Sequence, residues 1–132
     1  MGESTQHAML VTEIVKWITT KHGEHNALSI LVDSNTVPPD RRPRQIGGFT
    51  PDVTARTLPS SFVIIGEAKS FADFFVPHTA KQLTVFLEYL QYQECPTLVM
   101  ATPLAATAAA RSLVRRLQQK LGTRIPAVFL VA

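Results

Sequence analysis

The sequence has very little cysteine and no long apolar segment. Its single cysteine, Cys95, cannot form a disulfide within the chain and has no second thiol with which to bind a metal. The Ala-rich stretch near residues 105–110 is followed at once by Arg111, so no apolar run approaches membrane-spanning length. The first residues lack the positive charge and the apolar run of a signal peptide. These absences predict a soluble cytoplasmic protein in a reducing compartment, with no membrane partner.

Charged residues are also sparse. They make up 17% of the 132 residues, whereas hydrophobic residues make up 45%. This composition predicts a single globular domain over residues 1–132 and excludes a disordered chain. The formal net charge of +3 is compatible with a polyanionic partner but does not require one.

A glycine-rich phosphate loop is missing as well. Gly47-Gly48 precedes a predicted strand instead of opening a helix, so no nucleotide-binding loop of the common type follows the first strand. The chain also lacks the uninterrupted alternation of strands and helices that a doubly wound nucleotide-binding domain would show. The sequence therefore argues against a nucleotide-binding fold of that kind.

The pattern of apolar residues predicts the order α-β-β-β-α-β-α-β. Strands are expected over residues 27–32, 49–56, 62–69, 97–101 and 127–131, with a loop over 33–48 and a turn at 58–61. The strand over 62–69 is almost continuously apolar until Gly66, as expected for a central buried strand. A hairpin-like set of strands followed by βαβ crossovers predicts an α/β protein with a mixed sheet flanked by helices.

The predicted helices have recognisable ends. The first covers residues 5–21 and is followed by Gly23, a common residue at a helix C-terminus. Thr79 and Gln82 fit a capping box that would begin the second helix. Pro103 would occupy the first position of the third helix, which the chain leaves at Gly122.

Two acidic residues and a lysine lie on consecutive predicted strands. Asp52 belongs to the second strand, whereas Glu67 and Lys69 close the third. Because side chains alternate between the faces of a strand, Glu67 and Lys69 should point the same way, in line with Val63 and Ile65. Phosphodiester hydrolysis needs a divalent cation, and Mg²⁺ prefers oxygen ligands. The cluster therefore suits metal-assisted cleavage of a phosphodiester.

Pro51-Asp52 and Glu67-Ala68-Lys69, set in this order of elements, resemble the motif of the PD-(D/E)xK nuclease superfamily. The resemblance covers most of the chain and implies a restriction-endonuclease-like fold. It implies that Asp52, Glu67 and the backbone carbonyl of Ala68 bind Mg²⁺, for which Mn²⁺ can substitute. Lys69 would orient or deprotonate the attacking water, or stabilise charge in the transition state. The implied function is that of a homodimeric, metal-dependent nuclease that acts on DNA with structure-specific or weak sequence specificity.

Other residues are weaker candidates for the same site. In several branches of the superfamily a glutamate of the first helix completes the metal site, and Glu13 would be that residue unless it is an ordinary residue of the helix flank. Some families place a catalytic glutamine near the lysine, and Gln82 fits that role as well as the capping box. Arg41, Arg42 and Arg44 in the long loop are candidates for nucleic-acid binding, together with His78. The five cations from Arg111 to Arg124 are interpreted as the solvated face of the last helix.

Three alternatives stay open at this stage. Glu67 and Lys69 could be a solvent-exposed ion pair that contributes little to stability. A protein of the same fold could bind nucleic acid without cleaving it. Alternatively, the chain could be a non-enzymatic α/β module for protein interactions, in which the Glu67–Lys69 pair is structural.

Overall fold

The computed structural model describes residues 4–24, 28–57 and 61–132. Within them, three α-helices and five strands follow one another in the predicted order. The helices are α1 (Thr5–His22), α2 (Pro77–Leu90) and α3 (Thr107–Leu121). The strands are β1 (Ser29–Val32), β2 (Val53–Arg56), β3 (Val63–Ala68), β4 (Pro96–Thr102) and β5 (Ala127–Val131). None of the helices in these residues is both long enough and apolar enough to cross a membrane.

The five strands form one mixed sheet in the order β1-β2-β3-β4-β5. The β1–β2 and β2–β3 pairs are antiparallel, whereas the β3–β4 and β4–β5 pairs are parallel. Each parallel pair is joined by a crossover helix, α2 or α3, as the geometry of parallel strands requires. The predicted α/β class, with a mixed sheet flanked by helices, is therefore confirmed.

Two apolar cores cover the two faces of the sheet. On one face, α1 packs on the strands through Leu10, Ile14 and Ile18. On the other face, α2 and α3 pack on the side chains that β3 and β4 direct toward them. Strand β3 is the middle strand and all six of its residues are buried, which explains its continuous apolar sequence.

Gly66 allows α1 to approach the central strand closely. A Cβ atom at this position would lie 2.6 Å from Ile14 Cγ2 and 3.3 Å from Val53 Cβ. Any larger residue would force the Ile14 side chain to shift, because real Cβ atoms are essentially never found at the shorter distance. Gly66 therefore allows close packing between β3 and α1.

The predicted start of the second strand is wrong by four residues. Strand β2 begins at Val53, and Phe49 instead forms an isolated bridge with Ile46. Between those two residues, Gly47 and Gly48 have φ angles of 57° and 88°, which reverse the chain in a tight turn. The predicted turn at 58–61 lies outside the described residues except for Ser61, as does Ala27 of the first predicted strand.

The predicted capping box is also wrong. Helix α2 begins at Pro77, two residues before Thr79, and no side chain caps its N-terminus. Pro77 suits the first helical turn because its missing N–H would have no partner there. Likewise, α3 does not begin at Pro103 but at Thr107, after a short 3-10 helix, and it ends at Gly122 as predicted.

Candidate active site

Strands β2 and β3 bring Asp52 and Glu67 together at one edge of the sheet. Asp52 precedes β2, and the antiparallel pairing of Val53 with Gly66 places it beside the end of β3. The Asp52 backbone N–H donates to Glu67 Oε1 at 3.0 Å, and the Ala68 N–H donates to Asp52 Oδ2 at 2.8 Å. Each carboxylate is thus fixed by the backbone of the other strand.

Glu67 is almost completely removed from water, with 1% of its surface exposed. Burial raises the pKa of its carboxyl well above the usual value of 4.5, and the nearby charge of Asp52 raises it further. The ammonium of Lys69 and the backbone N–H of Asp52 oppose this shift in pKa. A hydrogen bond between the two acidic side chains contributes to the higher pKa as well. In the folded protein the Glu67 carboxyl therefore holds its proton to higher pH than an ordinary glutamate does.

Lys69 extends from the end of β3 toward helix α2. Its Nζ donates a hydrogen bond of 2.5 Å to Gln82 Oε1 and lies 3.5 Å from Glu67 Oε2. Only 9% of the Lys69 surface is exposed, so the pair with Glu67 is not the solvated surface pair considered above. The sequence left two roles open for Gln82, a helix cap or a partner of the lysine. The structure shows the contact with the lysine.

Two buried side-chain oxygens in the described part of the chain lack a hydrogen-bond partner. They are Glu67 Oε2 and Thr79 Oγ1. An unsatisfied buried oxygen carries the full cost of its desolvation, and this cost is greatest for a charged group. Glu67 Oε2 lacks a hydrogen bond, and its nearest charged neighbour is the Lys69 ammonium at 3.5 Å.

Helix α1 contributes His7 to the cluster, which the sequence reasoning missed. His7 Nε2 lies 3.4 Å from Asp52 Oδ1, in a first helical turn that Ser4 caps by accepting the His7 N–H at 3.0 Å. Glu13, the residue predicted from this helix, is placed elsewhere, with Oε1 3.5 Å from Lys16 Nζ. A signal was present, because His7 continues the helical spacing of Ile14 and Ile18 toward the N-terminus.

The loop cations predicted to bind nucleic acid are scattered. Arg42 Nε donates to the carbonyl of Val37 at 2.7 Å and so holds its own loop. Arg41 is exposed in a 3-10 helix, whereas Arg44 lines a cavity of about 440 Å³ with Arg56, at the end of β2 opposite to Asp52. His78 is exposed in the first turn of α2.

In residues 4–24, 28–57 and 61–132, no group of three or more His, Cys, Asp or Glu side chains is arranged to hold a metal ion. The oxygen donors that converge at the sheet edge are the carboxylates of Asp52 and Glu67. Comparison of the chain with protein-family models, with curated proteins and with solved structures finds no match.

Proposed function

We propose that this protein is a metal-dependent nuclease of the restriction-endonuclease-like fold, which hydrolyses phosphodiester bonds in DNA. The observation that carries the proposal is the buried carboxyl group of Glu67, which has one oxygen without a hydrogen bond and lies beside Asp52 and Lys69. Perturbed ionisable groups of this kind are concentrated at functional sites. The motif resemblance, on strands in the expected order, identifies the class of reaction.

The residues at this edge fit a divalent cation such as Mg²⁺ or Mn²⁺. Asp52 and Glu67 would hold the ion, because hard cations take carboxylate oxygens and the positive charge would offset the repulsion between the two acids. The backbone carbonyl of Ala68 is the proposed third ligand. When bound, the ion would neutralise phosphate oxygens and lower the pKa of an attacking water.

The other residues of the cluster would position the reacting groups. Lys69 supplies a fixed positive charge beside the carboxylates, where it would stabilise negative charge that develops on the phosphate. Gln82 holds the ammonium through its amide oxygen, so the lysine does not have to be ordered during the reaction. His7 Nε2 lies beside Oδ1 of Asp52 and would fix the orientation of that carboxylate.

The substrate class and the assembly are part of the same proposal. We infer DNA as the substrate, with structure-specific or weak sequence specificity, and a homodimer that cuts both strands. These inferences follow from the motif resemblance. Sedimentation of the protein with and without a DNA duplex measures the oligomeric state directly.

Cleavage of supercoiled, linear, single-stranded and branched DNA in Mg²⁺ or Mn²⁺ tests the proposal. We expect Glu67→Gln, Asp52→Asn and Lys69→Met each to reduce the rate about 100-fold or more, as is typical for residues that stabilise transition-state charge. Glu88→Gln and Lys81→Met, which make the same changes at exposed positions of α2, are the controls. Activity that survives both Glu67→Gln and Lys69→Met would exclude this mechanism.

The same measurements separate the alternatives. A nucleic-acid-binding protein without nuclease activity would bind DNA in a salt-sensitive way and leave it intact with either metal. An interaction module would neither bind nor cleave DNA. Binding of Mn²⁺, measured by electron paramagnetic resonance, should be lost in Glu67→Gln and retained in Glu88→Gln, whether or not a cleavable substrate has been found.

A further inference from the structure

Positive charge is concentrated in the last part of the chain. Residues 96–132 contain five cations and no acidic residue, which leaves eight of the 13 basic residues and all ten acidic residues in the rest of the chain. The five cations are Arg111, Arg115, Arg116, Lys120 and Arg124. All of them are exposed, and none forms an ion pair with an acid within the described residues. Such asymmetry indicates a surface for a polyanion.

Three of these cations line a groove between α3 and β5. The groove has a volume of about 620 Å³, and Arg111, Arg115 and Arg124 lie along it together with Phe129. Arg116 and Lys120 do not line it, because their positions in the helical repeat place them on the opposite side of α3. All five cations are exposed, as the prediction of a solvated face requires, but that prediction did not identify the groove along which three of them lie.

One contact supports an arginine side chain of the groove, and two hydrogen bonds fix the backbone next to another. The Arg111 guanidinium lies 4.7 Å from the centroid of the Phe129 ring, which supports one face of the cation. Gln118 accepts the Ile125 N–H at 2.6 Å and donates to the Ile125 carbonyl at 2.8 Å, so it fixes the segment that carries Arg124. The Arg111 side chain is thus supported, and the backbone next to Arg124 fixed, before any ligand binds, which lowers the entropy cost of binding.

We propose that this groove binds the phosphodiester backbone of a nucleic-acid strand. Arginine forms paired hydrogen bonds with phosphate oxygens, and a concave row of arginines without nearby acids follows a backbone, as in other single-strand channels. Helix α3 follows the end of β4 that adjoins Glu67, so α3 begins at the same end of the sheet as Glu67 and runs away from it. This inference rests on the proposed function in one respect, which is that nucleic acid is taken as the polyanion.

Equilibrium binding of a fluorescent single strand and of a duplex tests the groove. The background is Glu67→Gln protein without divalent cations, so that cleavage cannot interfere. Arg111→Gln/Arg115→Gln is compared with Arg116→Gln/Lys120→Gln, which removes the same charge from the opposite side of the helix. We expect the groove pair to weaken binding about tenfold and to reduce the salt slope by about 1.4 for the single strand and about 1.8 for the duplex. The control pair should change binding much less.

Arg124→Gln provides a second test, because it leaves the contact between Arg111 and Phe129 intact. Like the groove pair, this variant should weaken binding, and its melting temperature should stay unchanged. Equal losses in the groove pair and the control pair, or no loss in either, would overturn the inference. Groove-dependent binding by a wild-type protein that never cleaves would support the groove and contradict the nuclease. Cleavage that requires Glu67, combined with binding that does not respond to the groove pair, would contradict the groove alone.

Discussion

The buried carboxyl of Glu67 makes the stability of the metal-free protein depend on pH in a particular direction. Because burial and Asp52 raise its pKa above 4.5, the folded protein retains the Glu67 proton at pH values where the unfolded chain has lost it. The stabilisation from Glu67 is therefore fully present below about pH 4.5. It is lost as the pH rises through the higher pKa of the folded state. Glu67→Gln, which resembles the protonated acid, should not show this loss.

The size of the effect is limited by the single proton involved. One group can change the free energy of unfolding by at most about 1.4 kcal/mol per pH unit. In a domain of this size that corresponds to roughly 4 to 7 °C in Tm per pH unit. Wild type and Glu67→Gln should therefore have similar stability near pH 4.5, and the variant should become progressively more stable above it. Other carboxyl groups titrate in both proteins, so the difference between the two curves isolates Glu67.

Thermal and urea unfolding in a chelator, at intervals from pH 4.5 to pH 8, measures this difference. Circular dichroism reports the helices, and Glu88→Gln provides the control for removing an exposed glutamate. The control curve should run parallel to that of wild type throughout. If the Glu67→Gln curve also ran parallel to wild type, the fold would not be holding a buried carboxyl with a raised pKa, and the central premise of the site would fail.

Three further predictions concern the surroundings of the site. Saturating Mn²⁺ should bind the folded wild-type protein and raise its Tm. At 100 times the Kd, this binding adds about 2.7 kcal/mol to the free energy of unfolding, and the Tm of Glu67→Gln should not change. Gln82→Leu should cost about 1–3 kcal/mol in urea unfolding because it leaves the buried Lys69 ammonium without its amide partner, whereas an equally stable variant would show that this contact is dispensable. Gly66→Ala should cost about 1–3 kcal/mol through its clash with Ile14, and Ile14→Ala should relieve part of that cost in a double-mutant cycle. Strictly additive losses would show that the two residues do not compete for space.

Residue patterns predicted the order of the elements because the patterns and the folded structure obey the same constraints. The apolar run before Gly66 requires burial on both faces, and a five-stranded sheet offers that environment at its centre. Alternation along β3 placed Glu67 and Lys69 on one face, and the structure joins them at 3.5 Å. These predictions needed only the period of a strand.

Features that depend on tertiary packing could not be predicted in this way. The contact between His7 and Asp52 exists because α1 docks over Gly66, and the docking angle is not encoded in the spacing of the helix. Thr79 and Gln82 matched a local capping pattern, but Pro77 began the helix earlier and Gln82 became a partner of the buried lysine. A local rule failed where tertiary packing gives the side chain another partner.

The burial of the cluster argues against a purely structural role for Glu67 and Lys69. A buried ion pair gains little net stability, because desolvating both charges offsets their attraction. Here burial raises the pKa of the Glu67 carboxyl, and its Oε2 lacks a hydrogen bond, so the cost of burying this group is only partly offset. Replacement of a buried ion pair by well-packed apolar residues of similar size is often neutral or stabilising. A ligand that supplies positive charge and takes up the free carboxylate oxygen would remove the imbalance, and a divalent cation does both.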